Sequence, residues 1–265
     1  MSALSPADAA LFETSVVPRY LAMFAEPLLG MVAAGGDARV CHVACRTGFP
    51  DVELFERLVD AHLYGCDASG SAIELARAKT RAKAGMVADY RVVERLPMPF
   101  PRASFSHAFA LCPPFERRKI LEELARLVAG RGQALLAVPL AGSFAEVDDL
   151  LRECALKMEM PALLGAVDAV AKHRPTEQGL AAELGAAGFE YVEVKGAHRA
   201  IAFPSGRDFI DDPIARLVLL PELRASLALA NDHAFGYVRE AIDKYWSDGS
   251  FELTIHVGVA SGRRK

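Results

Sequence analysis

The chain has 265 residues, 52% of them hydrophobic, with 30 Lys and Arg against 34 Asp and Glu. That length supports a sizeable buried core, and a net charge of −4 without basic clusters argues against a nucleic-acid binder. No apolar run approaches the roughly 20 residues of a membrane span, and the N-terminus lacks the basic start and apolar core of a signal peptide. A cytoplasmic protein that contacts neither membrane nor nucleic acid is expected.

Five cysteines lie at 41, 45, 66, 112 and 154, an odd number without the spacing of a disulfide framework. Cys41 and Cys45 offer at most half a metal site, and no CxxC pair or His-rich partner completes it. No metal is expected, and free thiols filling small spaces are.

Ser5-Pro6-Ala7-Asp8 reads as a helix start with Pro at the first position. Pro18 and Pro27 punctuate the next stretch, which predicts two short helices. Arg39–Ala44 is a short apolar run, the first buried strand. Pro50-Asp51 opens a helix through Val59. Ala61–Cys66 is the second strand, Ser71–Lys83 a strong helix, and Val87–Val93 the third strand. The prolines at 97, 99 and 101 exclude regular structure there. Phe105–Leu111 is the fourth strand. Glu116–Val128 is an amphipathic helix closed by Gly130 and Gly132, and Gln133–Val138 is the fifth strand. Helices between Ser143 and Ala187 precede a sixth strand, Glu190–Lys195. A mainly helical excursion from Pro204 to about Ser247 precedes a last strand, Phe251–Val259. The terminal Arg263-Arg264-Lys265 reads as a solvated tail.

Strands alternating with helices predict an α/β fold, a mostly parallel sheet with helices on both faces. In such sheets ligands bind at the carboxyl ends of the strands, where strand order reverses. The first loop is Val43-Ala44-Cys45-Arg46-Thr47-Gly48. An acid at the end of the second strand, Asp67, stands at the distance expected of a ribose-binding carboxylate; its bland alternative is a cap on the next helix. A dinucleotide oxidoreductase ranks low because GxGxxG is absent.

At these residues the chain resembles class I S-adenosylmethionine-dependent methyltransferases, most of all the broad group that includes the quinone- and biotin-pathway enzymes. RVCHVACRTG is similar to their first motif, V-L-D-V-(G/A)-C-G-T-G. LYGCDASGSAIELARAK is similar to their second strand and helix. LPMPFPRASFSHAFAL, LEELARLVAGRGQALLAVP and AAELGAAGFEYVEV come next in the family's order, so the likeness spans about residues 37–195. It implies a Rossmann-like, seven-stranded, single domain: N-terminal helices over 1–36, a cofactor-binding half over 37–140 and a substrate or cap half over 141–265. It implies S-adenosylmethionine as cofactor. The implied contacts are His42, Ala44, Cys45, Arg46 and Gly48 in the first loop and Asp67 and Ala68 in the second. Val93 ends the third strand with Glu94 just past it, and Leu111 ends the fourth.

Three of these positions depart from the family pattern. His42 stands where an acid meets the methionine end of the cofactor. Arg46 stands at the central Gly of the loop, filling space and adding positive charge beside a cationic sulfonium. Its one favourable partner would be the cofactor's carboxylate. Val92 replaces the acid that meets the adenine amino group, with Glu94 two residues on as a substitute. Each lost charged hydrogen bond costs on the order of 1.5–3 kcal/mol.

Two functions therefore compete. One is methyl transfer to a small organic acceptor. The other is a pseudo-methyltransferase without cofactor that works as an interaction or regulatory protein with a protein partner. A non-methylating enzyme reusing the cleft is a minor third. Among possible bases, His107 and His256 sit in strand patterns that favour structural roles. His173 precedes Arg174-Pro175 in a loop, His198 comes after the sixth strand, and His233 begins the last large helix. None has catalytic spacing, so no catalytic residue is assigned. Phe203, Phe209, Phe235, Tyr237, Tyr245 and Trp246 would suit an apolar substrate pocket, although aromatics at helical spacing are more often core.

Overall fold

In the computed structural model, residues 3–113, 116–226 and 232–265 are described. Ser5 caps the first helix, α1 (Pro6–Leu11), by accepting from the Asp8 N–H at 3.1 Å. The chain then stays helical, through a wider π-type stretch (Phe12–Leu21) into α2 (Ala22–Met31). The two short helices expected from Pro18 and Pro27 are thus one continuous run. The π turn accommodates Pro18, whose missing N–H removes a ladder bond, and the buried face of Phe12, Val16, Val17, Tyr20 and Phe24 holds the run together.

Next come β1 (Arg39–Val43), α3 (Asp51–Phe55), β2 (His62–Asp67), α4 (Gly70–Ala82), β3 (Val87–Val92) and β4 (Phe105–Leu111). α3 stops at Phe55, short of the expected Val59, which is exposed. α5 (Arg117–Leu127) buries Ile120, Leu121, Leu124 and Leu127, then passes straight into β5 (Val128–Pro139). Gly130 and Gly132 therefore do not close the helix but lie inside a strand, because Val128 already pairs with Phe105 of β4. The remaining elements are α6 (Ala145–Lys157), α7 (Pro161–His173), α8 (Glu177–Ala186), β6 (Phe189–Phe203), α9 (Gly206–Asp211), a π turn (Ala215–Leu219), α10 (Leu220–Ser226), α11 (Asp232–Tyr245) and β7 (Phe251–Arg264).

The contacts divide the chain into two compact units, one of residues 1–138, 177–196 and 258–265, the other of residues 139–176 and 197–257. The strands form a seven-stranded sheet of order β3-β2-β1-β4-β5-β7-β6. The first five strands pair in parallel, and the order reverses between β1 and β4. The loops after those strands are where such a sheet offers a ligand site. The expected tail is strand instead: Arg264 ends β7 and donates to the carbonyls of Ala187 and Gly188 at 3.3 and 2.9 Å.

The proline-rich segment 97–101 is irregular, as its composition demands, and is pinned by α5. Buried Glu123 accepts from the Met98 N–H at 2.8 Å, while Arg126 donates to the Met98 and Phe100 carbonyls. In the second unit, Arg174 donates to Asp148 at 2.5 Å and lies over the Phe144 ring, tying the end of α7 to α6. Among the described residues no helix is long and apolar enough to cross a membrane.

Candidate functional site

The parallel registers set four residues in a row across the sheet. His42 of β1 lies beside Gly65 of β2, Gly65 beside Tyr90 of β3, and His42 beside Phe109 of β4. Gly65 is the window in this row. A Cβ there would stand 2.4 Å from the Tyr90 ring, so the missing side chain is what lets the ring lie across β2. The Tyr90 hydroxyl then reaches Asp51 at the start of α3 and donates to Oδ2 at 2.7 Å. His42 Nδ1 donates to the other oxygen, Oδ1, at 2.8 Å, and its ring stacks on Phe109 with centroids 4.0 Å apart. His42, Asp51, Tyr90 and Phe109 are all buried.

β1 ends at Val43, and the loop begins with Ala44 at φ 57° and Arg46 at φ 48°. Both occupy the left-handed region that side-chain-bearing residues rarely adopt. The Arg46 N–H donates to Asp67 Oδ2 at 3.1 Å, and the Ser69 N–H donates to Asp67 Oδ1 at 2.9 Å. Asp67 is 0% exposed. Above it, Ser69 Oγ donates to the Leu4 carbonyl at 3.2 Å and accepts from the Leu4 N–H at 3.1 Å. The Arg46 guanidinium lies 5.9 Å from the Phe12 ring centroid, under the N-terminal helical run. Lys79 of α4 fastens that run through Glu13 at 2.8 Å. Burial pushes the Arg46 pKa down, against the opposing charge of Asp67. Arg46 Nη1 and Thr47 Oγ1 are buried with no hydrogen-bond partner among the described residues. Burying a polar atom in that state costs about 1–3 kcal/mol.

Residues 40–132 match the family described as "Methyltransferase domain". No curated protein matches the sequence. Among solved structures, the YcgJ protein of Bacillus subtilis is 13% identical with a TM-score of 0.58, covering 92% of this chain and 99% of its own. A putative methyltransferase of Bacillus halodurans is 16% identical with a TM-score of 0.58, covering 92% and 98%. The geranyl diphosphate C-methyltransferase of Streptomyces coelicolor, solved with Mg2+, geranyl diphosphate and S-adenosyl-L-homocysteine, is 14% identical with a TM-score of 0.52, covering 98% and 85%. Residues 40–132 are thus similar to a methyltransferase domain, and the fold is that of the class I methyltransferases.

The residues expected to hold cofactor have partners of their own within the chain. His42 is bound to Asp51, and Asp67 to backbone amides. Cys45 turns inward onto Ile73, Ala76 and Tyr90. Gly48, at φ 74°, packs so closely that a Cβ would lie 2.8 Å from the Ala76 methyl. Ala44 and Leu111 are buried and Ala68 is half-buried. β3 ends at Val92, so Val93 lies past the strand and Glu94 is not on its face but exposed beyond it. Glu94 therefore does not share a strand face with Val92, the basis for expecting it to substitute. Arg46 thus stands in the turn after β1, His42 stands where an acid was expected, and Asp67 is buried with both oxygens bound to backbone amides.

The thiols serve packing. Burial raises Cys41 and Cys45 well above the ordinary value and pushes Cys66 up to about 12. No cluster of metal-ligating side chains occurs among the described residues. His107 bridges Ser106 Oγ and the Ala33 carbonyl, and His256 contacts the Ala141 carbonyl at 2.8 Å. Both are structural. His173 ends α7 instead of lying in a loop. The second unit's aromatics do not converge on a pocket. Phe203, Phe209 and Phe235 are core, with Phe203 and Phe209 stacked edge-on, while Tyr237 and Tyr245 meet Lys157 and Glu153 at the surface. Trp246 lines a hollow of about 210 Å³ with Ser205 and Asp243.

Sequence reasoning missed Asp51 and Tyr90. The available signal was Gly65, a glycine inside a strand, which marks a close approach of something from outside the strand.

Tyr90 gives a pH signature. Burial first, then the Asp51 charge and hydrogen bond, raise its pKa far above the usual tyrosine value. A folded-state pKa above the unfolded one means the stabilisation is complete below about pH 10 and declines as pH rises further. Urea midpoints should therefore fall more steeply above pH 10 in the wild type than in Tyr90→Phe, by about one proton, or about 1.4 kcal/mol per pH unit. Parallel slopes would rule this out.

Proposed function

We propose that this protein is a pseudo-methyltransferase: a methyltransferase-fold protein that has given up S-adenosylmethionine and acts as an interaction or regulatory protein. The observation that carries this reading is Asp67, fully buried with both oxygens taken by the chain's own amides. To reach ribose hydroxyls the carboxylate would have to release two hydrogen bonds. The Leu4–Ser69 pair above it would have to open as well. Arg46 adds a largely buried positive charge where the cofactor brings a sulfonium and an ammonium, a repulsion strengthened by the low local dielectric.

A second reading, methyl transfer to a small organic acceptor, is favoured by one feature. The unpartnered Arg46 Nη1 could take the cofactor's carboxylate.

Calorimetric titration with S-adenosylmethionine and S-adenosylhomocysteine decides between them. We expect no saturable binding up to about 1 mM, whereas micromolar binding would overturn the pseudoenzyme reading. Restoring the site requires Arg46→Gly and His42→Asp together with Asp51→Asn. An acid at 42 would otherwise face Asp51 at the 2.8 Å now spanned by a hydrogen bond.

A further inference from the structure

On the outer side of the loop, Gly48 and Phe49 help line an open cavity of about 380 Å³ between the N-terminal π stretch, α3 and α4. Its apolar lining is half-buried Phe49 and Val52 with exposed Ala82. Its charged lining is Glu13, Glu53, Lys79 and Lys83. Both cations are already answered within the chain, Lys79 by Glu13 Oε1 at 2.8 Å and Lys83 by Glu56. The acceptors are answered only in part, Glu13 through one of its two oxygens. Glu13 Oε2 is buried without a hydrogen-bond partner, and Glu53 makes no ion pair among the described residues.

We propose that this cavity is a binding site for a small organic ammonium ion, with Glu13 Oε2 accepting from the ammonium group and the apolar lining of Phe49, Val52 and Ala82 lying along a short hydrocarbon tail. The volume lies within the range of small-molecule sites. An anion is disfavoured because no lysine there is left unpaired. A neutral molecule would leave the buried carboxylate oxygen without a charged donor. The cavity meets the first loop only at Gly48, and Glu13 lies outside that loop, so binding there does not require S-adenosylmethionine.

The test uses the full chain and three probes of one shape: hexylammonium, 1-hexanol and hexanoate, titrated by calorimetry at pH 7. Hexylammonium should bind saturably with a Kd of about 1 mM or below. Hexanol should bind at least about tenfold more weakly and hexanoate not measurably. Glu13→Gln should weaken hexylammonium at least about tenfold, since a charged acceptor becomes neutral. Val52→Phe, which crowds the apolar lining and leaves the carboxylates in place, should do the same and guards against misfolding of the Glu13 variant. Absence of saturable hexylammonium binding would overturn the proposal, as would equal affinity for hexanol. So would unchanged affinity in a folded Glu13→Gln or Val52→Phe protein.

Discussion

Asp51→Ala is expected to destabilise the fold by about 3–5 kcal/mol, read as a shift of the urea midpoint at neutral pH. The residue holds two buried donors, His42 Nδ1 at 2.8 Å and the Tyr90 hydroxyl at 2.7 Å, and neither has water to turn to. Each buried donor left unpaired costs roughly 1–3 kcal/mol, and removing one partner of a buried pair lies at the high end of single-residue effects. Asp51→Asn keeps one acceptor oxygen and should lose about half as much. Domains of this kind have only about 5–15 kcal/mol in hand, so the alanine variant should be markedly less stable. A loss below about 1 kcal/mol would mean the two donors find other partners.

Gly65→Ala should cost about 3 kcal/mol for adding a single methyl group, the upper part of the usual overpacking range. The new carbon would sit 2.4 and 2.5 Å from two Tyr90 ring carbons and 3.0 Å from Cys45 Sγ. The ring has nowhere to retreat, because its hydroxyl is tied to Asp51 and its faces meet Ile73 and Ala76. A double-mutant cycle isolates the cause. In a Tyr90→Ala background the same glycine change should cost under about 1 kcal/mol, since contacting pairs couple strongly and separated ones do not. Equal costs in both backgrounds would place the problem in the strand backbone.

Much of the fold is legible in the sequence because it depends on local pattern. The alternation of apolar strands and amphipathic helices points to the sheet, and Ser5-Pro6 marks the first helix start. The expectations that fail depend on partners distant in sequence. Gly130 and Gly132 have the composition of a helix end, but pairing of Val128 with β4 converts them to strand. Glu94 has the spacing of a strand-face neighbour of Val92, but the strand ends one residue sooner than expected. The candidate loop lies in the expected place, and His42 and Arg46 are its unusual residues. Their actual partners are not visible in the sequence, because only the register of three strands brings Tyr90 across Gly65, and only the loop's path brings Asp51 to His42.

The His42–Asp51 contact also bears on mutational routes. An acid returned to position 42 by a single change would meet another acid, and two buried carboxylates in contact cannot both ionise. A change at Asp51 alone weakens the hold on both of its donors. Either first step toward a cofactor-binding loop therefore passes through a less stable protein, and only the pair made together avoids it. The contact thus couples positions 42 and 51, so that a change at either is tolerated best with a matching change at the other.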